Sequence, residues 1–179
     1  MSVKYRLLGI SGSLRQNATN RKLIHEAARL FDPADFDLAD LNLPLYDGEA
    51  EARDGIPHPV QTLADQIGAA DAVVISTPEY NSALSGVLKN ALDWISRTDN
   101  NPWRAKPVAI MSAAAGRAGG ARALSSLRLC MAPFRANIIP GPELLLAASG
   151  SAFDENARLT NDHTVKSLQE LMSALRATI

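Results

Sequence analysis

The chain has 179 residues, of which 46% are hydrophobic and 21% charged, and we expect one domain over residues 1–179 with a full core. The formal net charge of −1 at pH 7 argues against nucleic acid or an anionic membrane surface as a partner. Cys130 is the single cysteine, so no intrachain disulfide can form. With no signal-peptide pattern at the start of the chain, we expect a cytoplasmic location.

The first third of the chain alternates short apolar runs with longer amphipathic segments, which predicts an α/β fold with a mostly parallel sheet. We predict a strand over 4–10, then a helix, and then a strand over 36–41. Asn17 or Thr19 is the expected N-cap of that helix. A polar loop over 46–59 is the longest irregular segment and a candidate lid or subunit contact.

The same alternation continues to the end of the chain. The predicted elements are a helix over 60–69, strand 72–76, helix 86–97, strand 107–112, a helix ending near 133, strand 137–139 and a closing helix over 161–177. Five strands, each followed by a helix, favour a flavodoxin-like three-layer sandwich with strand order 2-1-3-4-5 and helices on both faces of the sheet. That order has its switch point between the first and third strands, where ligands bind.

The loop after the first predicted strand has the chemistry of a phosphate site. Ser11 and Ser13 supply hydroxyl donors, and Arg15 supplies a planar cationic fork. Thr19 and Asn20 begin a helix, where the backbone favours an anion. A polar turn with an exposed arginine is the alternative. Neither GxxxxGK[ST] nor a GxGxxG after the first strand is present, which disfavours a P-loop NTPase and a Rossmann dinucleotide site.

Two further strand-end loops suit a planar ring. In Pro78–Ser82, Pro78 fixes a turn and Tyr80 could stack on an aromatic heterocycle, although a tight turn with Tyr80 in the core is the alternative. The loop after the fourth predicted strand is rich in alanine and glycine, so a ligand could approach its backbone closely, with Ser112 at the other edge of the ring. A tight start of the next helix explains its glycines equally well.

The other ionisable side chains do not predict a second site. The three histidines share no metal-ligand spacing with one another or with Cys130, so we expect no metal. Ser11 and the late pair Asp162-His163 imitate the chain order of a hydrolase triad. The Gly-x-Ser-x-Gly elbow is missing, which leaves a serine esterase as a distant alternative.

An ordered set of motifs covers most of residues 5 to 130. They are Gly12-Ser13-Leu14-Arg15 with Asn20, Leu43 to Asp47, Pro78 to Asn81, Gly86 to Trp94, and Gly116 to Arg122. In this order they resemble the NADPH-dependent FMN reductases of flavodoxin-like fold, whose soluble bacterial members include quinone and chromate reductases. The resemblance implies FMN as cofactor and NADPH or NADH as co-substrate. The nicotinamide would give a hydride to the flavin, and reduced flavin would reduce quinones, free flavin, chromate or a similar acceptor.

The resemblance also implies the binding residues and the assembly. The implied cofactor-binding residues are Ser11, Ser13, Arg15, Asn17, Thr19, Asn20, Pro78, Glu79, Tyr80, Asn81, Ser82, Ser112, Ala113, Gly116 and Arg117. No dedicated acid–base residue is implied, because the cofactor carries the chemistry. The family forms dimers or tetramers, which implies a homodimer or homotetramer with the 86–97 helix and the 46–59 loop at the interfaces. An electron-carrier flavoprotein without its own NAD(P)H turnover is the alternative.

Three positions depart from the pattern of this family. Ala18 replaces a common serine of the phosphate loop, and we expect Thr19 or Asn17 to replace the lost donor. Ser85 stands where a proline is common, and the turn before Gly116 is all alanine, where polar residues are frequent.

Overall fold

The computed structural model describes residues 5–179, in which strands and helices alternate along the chain. The elements are β1 (Arg6–Ser11), α1 (Thr19–Phe31), β2 (Asp35–Leu38), α2 (Gly48–Asp54), α3 (His58–Ala69), β3 (Ala72–Thr77), α4 (Gly86–Ile95), β4 (Pro107–Ala113), α5 (Ala121–Met131), β5 (Asn137–Ile138), β6 (Leu144–Leu146) and α6 (Asp162–Arg176). Two 3₁₀ turns, at Ala132–Phe134 and Ser149–Ser151, complete the set.

The sheet is parallel throughout and has the order β2-β1-β3-β4-β5, which confirms the predicted flavodoxin-like order. Its last position differs from the prediction because two short strands share it. β5 pairs with β4 at Pro107 and Val108, and β6 pairs with β4 at Met111, Ser112 and Ala113. The sequence predicted one strand here, so the described sheet has six strands rather than five.

Two hydrophobic cores, one on each face of the sheet, make the fold a three-layer sandwich. Helices α1 and α6 cover one face, and α3, α4 and α5 cover the other. The strands between them are almost entirely buried, as expected for a parallel sheet covered on both faces. At Gly9 the approach of α1 is so close that an added Cβ would lie 2.5 Å from Ile24 Cγ2.

The sequence predicted an irregular loop over 46–59. This prediction is wrong, because α2 occupies the centre of the segment. The Asp47 side chain caps this helix by accepting a hydrogen bond from the Glu49 N–H at 2.8 Å, and Gly55 ends it with φ of 78°. Asp47 and Gly55 are therefore the N-cap and C-cap of this helix. Strand β2 ends at Leu38 rather than at 41, and Lys4, the predicted start of the first strand, lies outside the described residues.

Helix α4 anchors the segment that leads into α2. The Pro44 carbonyl accepts hydrogen bonds from Asn90 Nδ2 at 2.9 Å and from Trp94 Nε1 at 2.8 Å. The Tyr46 ring meets Trp94 edge to face, with centroids 5.0 Å apart. Ser85 is the N-cap of α4 and accepts a hydrogen bond from the Leu88 N–H at 3.3 Å, which gives the departure at Ser85 a structural reason.

Candidate functional site

The carboxyl ends of β1, β3 and β4 lie side by side and surround a cavity of about 490 Å³. Ser11 of β1 is paired with Ser76 of β3, and Thr77 of β3 with Ser112 of β4. The loops after these three strands therefore form the walls of the cavity. This is the switch-point position, and the volume falls within the roughly 300–1,000 Å³ of small-molecule sites.

The first loop is held tightly against β3. The Gly12 N–H donates to the Ser76 carbonyl at 2.8 Å, and a Cβ on Gly12 would lie 2.8 Å from Thr77 Oγ1. A larger residue would therefore displace the loop. Ser13 lines the cavity, whereas the buried Ser11 hydroxyl folds back onto the Ser13 backbone, accepting from its N–H at 3.2 Å.

Helix α1 points its N-terminus into the cavity, and its cap differs from the predicted one. The N-cap residue is Ala18, which supplies no side-chain hydrogen bond, so neither Asn17 nor Thr19 caps the helix. The Arg21 N–H donates to the Ala18 carbonyl at 3.0 Å, whereas the N–H groups of Thr19 and Asn20 receive no side-chain acceptor from the described residues. Asn17, Thr19 and Asn20 all line the cavity, where these N–H groups favour an anion.

Two cations, Arg15 and Lys22, line the cavity without a carboxylate partner among residues 5–179. Arg15 is exposed. The Lys22 ammonium lies 5.7 Å from the centre of the Phe153 ring, a weak cation–π contact. Two cations beside a helix N-terminus make this end of the cavity locally positive in a chain whose overall charge is close to zero.

Asn20 is 2% exposed, and its side-chain amide is engaged by the protein itself. Its Nδ2 donates to the Ala113 carbonyl at 2.9 Å, and its Oδ1 accepts from the Ser76 hydroxyl at 2.7 Å and from the Ala113 N–H at 3.0 Å. The amide thus joins α1 to β3 and β4. The backbone N–H of Asn20 remains available to a phosphate. The predicted phosphate contact by Asn20 therefore applies to its backbone N–H and not to its side chain.

The second loop is a tight hairpin. Tyr80 and Ala83 exchange two backbone hydrogen bonds of 3.1 Å, and the central residues Asn81 and Ser82 have φ of 50° and 64°. Positive φ at both central positions is typical of a type I′ turn. Pro78, Glu79 and Tyr80 line the cavity, but Asn81 and Ser82 do not. Tyr80 is 52% exposed, which rules out the alternative with Tyr80 in the core.

The Glu79 carboxylate, at the edge of the cavity lining, caps α5. Its Oε2 accepts from the Arg122 N–H at 3.1 Å and from the Ala123 N–H at 3.4 Å. The N-cap residue of α5, Gly120, has no side chain to do this. Glu79 therefore fixes the hairpin to α5, since a carboxylate at a helix N-terminus is favourable.

The third loop offers methyl groups and backbone to the cavity. Ala113, Ala114 and Ala115 line it. The fully buried Ser112 hydroxyl donates to the Thr77 carbonyl at 2.7 Å and does not reach the cavity. Gly116 and Arg117 are exposed beyond the lining, so the structure does not bring these two predicted residues to the site.

A fourth wall, missed by the sequence analysis, comes from the connection after β6. Ser149 and Gly150 line the cavity there. The Ser149 N–H donates to the Ala114 carbonyl at 3.1 Å, and its hydroxyl lies 3.2 Å from Thr19 Oγ1. The sequence did carry a signal, because an apolar run over 144–148 is followed by Ser-Gly-Ser, the same three residues as at 11–13 after β1.

Glu26, a buried carboxylate on α1, ties this connection to the helix. It accepts hydrogen bonds from Arg29 Nε at 2.8 Å, from Arg158 Nη1 at 2.7 Å and from the Leu159 N–H at 3.2 Å. Burial by itself would raise the pKa of Glu26, but these hydrogen bonds outweigh it and hold the pKa below its ordinary value of 4.5.

The lowered pKa predicts an acid-sensitive contribution to stability. The ionised carboxylate stabilises the fold above about pH 4.5, and this contribution is lost as the pH falls through the lower folded-state pKa. Glu26→Gln should lower the free energy of unfolding by about 2 kcal/mol at pH 6, and the difference from wild type should shrink towards pH 3. Urea unfolding at several pH values measures this.

Asp35→Asn is the control for the Glu26 prediction. Its ion pair with Arg6 is about half exposed on both sides, so its loss should change the free energy of unfolding by no more than about 1 kcal/mol. Parallel pH profiles for wild type and Glu26→Gln would contradict the prediction.

The remaining chemistry-bearing residues do not form a site of their own. The Ser11 hydroxyl bonds to Ser13 and has no histidine partner, while Asp162 and His163 begin α6, so the arrangement does not support the esterase alternative. Burial and the nearby Arg21 lower the pKa of His25, which packs edge-on against Phe36. Within residues 5–179, no three His, Cys, Asp or Glu side chains gather as metal ligands. No helix of that part is both long and apolar enough to span a bilayer.

Comparison with known proteins gives results that agree with this geometry. The family model described as NADPH-dependent FMN reductase matches residues 5–150. An NAD(P)H-dependent FMN reductase of Pseudomonas aeruginosa is 40% identical over 98% of this chain and 96% of its own length. A quinone reductase of Escherichia coli is 38% identical over 81% of this chain and 79% of its own length.

A solved structure agrees as well. The flavoenzyme NAD(P)H:(acceptor) oxidoreductase FerB of Paracoccus denitrificans superimposes with a TM-score of 0.85 and 30% sequence identity, covering 96% of this chain and 94% of that one. The family match spans the first three walls of the cavity, from Ser13 to Ala115, and extends to Gly150 in the fourth. The chain therefore belongs to the NADPH-dependent FMN reductase family, which uses FMN with NAD(P)H as the electron donor.

Proposed function

We propose that the protein is an FMN-dependent NAD(P)H oxidoreductase that reduces quinones, free flavin or similar small acceptors. The observation that carries the proposal is the cavity at the switch point, which has an anion-binding end and an apolar end. The relatives named as an FMN reductase and a quinone reductase support the choice of acceptor classes.

The anion-binding end fits the phosphate of FMN. Ser13 supplies a hydroxyl, Arg15 and Lys22 supply positive charge, and the first turn of α1 supplies backbone N–H groups at Thr19 and Asn20. Because Gly12 has no side chain, the loop lies close against β3 and leaves space in the cavity for a ligand. Charge-assisted hydrogen bonds from several donors are what a phosphate requires.

The other end fits a planar ring. Pro78 and Tyr80 form one wall, and Ala113 to Ala115 form the other, so a ring between them meets backbone and methyl groups. When bound, FMN supplies the hydride chemistry, and the protein orients it and limits access of water. Among residues 5–179, Glu79 is the one acidic residue that lines the cavity, and because it caps α5 the described lining offers no free carboxylate as a general base.

Reconstitution and turnover test the proposal directly. FMN-free protein mixed with FMN should retain, after gel filtration, the oxidised-flavin absorbance near about 450 nm, and it should then oxidise NADPH when a quinone is supplied. A protein that remains colourless would overturn the proposal. Bound FMN without NADPH consumption would favour the electron-carrier alternative. Comparing NADPH with NADH across quinones, free FMN and chromate identifies the preferred donor and acceptor.

We further propose that the protein assembles as a homodimer or homotetramer in the cytoplasm. Leu45 lies between Pro44 and Tyr46 in the segment that α4 anchors, and it is 83% exposed. A groove of about 520 Å³ beside α4 includes Leu92, Ile95 and Phe134 in its lining. The exposed Leu45 on the segment that α4 anchors, and the groove beside the same helix, support the use of the α4 region as a subunit contact. Sedimentation equilibrium of the purified protein tests this, and a monomer at all concentrations would contradict it.

A further inference from the structure

We propose that Ser149 binds the phosphate of FMN, acting with Thr19 to supply the donor that Ala18 lacks. This inference rests on the proposed function and assigns a residue from the β6–α6 connection to the cofactor. Ser149 is 4% exposed and lines the cavity, and its Oγ lies 3.2 Å from Thr19 Oγ1. Sequence reasoning had assigned the missing donor to Thr19 or Asn17 alone.

The hydroxyl groups of Ser149 and Thr19 together have one hydrogen that is not used in the bond between them. Each carries a single O–H, and the bond between them uses only one of the two hydrogens. In residues 5–179, neither oxygen has a second hydrogen-bond partner. Both residues line the cavity, so the spare hydrogen can be donated to an acceptor that binds there.

The surroundings of the pair make that acceptor an anion. Thr19 begins α1, so the pair lies at the positive end of a helix. Arg15 and Lys22 line the same cavity without a carboxylate partner in the described chain. Because a hydroxyl donates more strongly to a charged acceptor, a phosphate is the favoured ligand.

The position of Ser149 is fixed from two sides. Its N–H donates to the Ala114 carbonyl at 3.1 Å, which attaches it to the third loop. Nine and ten residues later, Arg158 and Leu159 bind the buried Glu26 of α1. The connection is therefore anchored on the third loop at one end and on α1 at the other, so we expect Ser149 to need little ordering when a ligand binds.

Flavin titration of the FMN-free protein tests the role of Ser149. Ser149→Ala should raise the Kd for FMN roughly tenfold or more, as expected for a hydrogen bond to a charged group. It should leave the Kd for riboflavin, which has the ring but no phosphate, within about twofold. Quenching of flavin fluorescence on binding measures both values without any turnover.

Ser151→Ala is a matched control in the same 3₁₀ turn. Its exposed hydroxyl donates to the Ala148 carbonyl at 3.2 Å, so this variant should bind FMN and riboflavin as wild type does. An unchanged Kd for FMN in Ser149→Ala would overturn the inference. An equal loss of FMN and riboflavin would also overturn it, because the serine would then be supporting the fold of the cavity.

Thermal shift with inorganic phosphate separates this inference from the proposed function. Phosphate should raise the Tm of the wild type, and raise it less in Ser149→Ala. If phosphate binds in this way but FMN does not, the proposed function fails and the role of Ser149 as an anion donor survives. If FMN binds equally to both proteins, only the role of Ser149 fails. If neither ligand binds to the wild type, both fail.

Discussion

Replacing Gly120 by alanine is expected to lower the free energy of unfolding by about 2 to 6 kcal/mol. Gly120 has φ of 89°, and a Cβ there would lie 1.9 Å from Ser112 Oγ. Left-handed strain and overpacking each cost about 1–3 kcal/mol, and an alanine at this position meets both. FMN binding should fall as well, because the displaced Ser112 belongs to the strand that leads into the third loop. Urea unfolding followed by circular dichroism measures the loss.

Gly116→Ala, in the same loop, is the matched control for stability. An added Cβ at Gly116 would find nothing within 4 Å, and the glycine has no positive φ. Its free energy of unfolding should stay within about 0.5 kcal/mol of wild type. A double variant with Ser112→Gly should recover part of the stability lost in Gly120→Ala, because the clash is removed while the strain and the loss of the Ser112 hydrogen bond to the Thr77 carbonyl remain. Equal stability of Gly116→Ala and Gly120→Ala would contradict the prediction.

Asn20→Ala is expected to destabilise the FMN-free protein by about 3 kcal/mol or more. The change leaves the Ser76 hydroxyl and both backbone groups of Ala113 without their partners in a buried region. Each unsatisfied buried group costs about 1–3 kcal/mol. The free energy of unfolding, measured before any cofactor is added, reports this loss directly.

Arg15→Ala should give the opposite pattern. Arg15 is exposed and has no ion pair in the described part of the chain, so its removal should change the stability of the FMN-free protein by less than about 0.5 kcal/mol. Its affinity for FMN should fall roughly 10- to 100-fold, because a charged partner of the phosphate is lost. If Asn20→Ala instead kept full stability and lost only affinity, its amide would be a cofactor ligand and not a clamp between α1 and the sheet.

Patterns that depend on local sequence predicted most of the fold. Alternating strand and helix signals predicted the parallel sheet, and five successive strand–helix units favoured the flavodoxin-like order of its strands. The polar loop after β1 and the Pro78 loop were correctly placed at the same edge of the sheet, because parallel strands bring their carboxyl ends together.

Contacts between distant segments account for what sequence reasoning missed. The position of Asn20 at the start of a helix predicts a donor to a ligand. Only the tertiary structure shows that its side-chain amide is hydrogen-bonded to Ala113 and Ser76. Glu79 likewise caps a helix that begins more than 40 residues later. Strand β6 has three residues and was too short for its pattern to be distinguished from a loop, so Ser149 was overlooked.

The divided last position of the sheet bears on aggregation. An edge strand exposes unpaired N–H and C=O groups, and a long, flat edge can pair with another chain. Here the outer position holds two separate strands of two and three residues, and the opposite edge, β2, has four. Neither edge offers a long template for another strand. The short strands at both edges therefore give the sheets of two copies little opportunity to pair edge to edge.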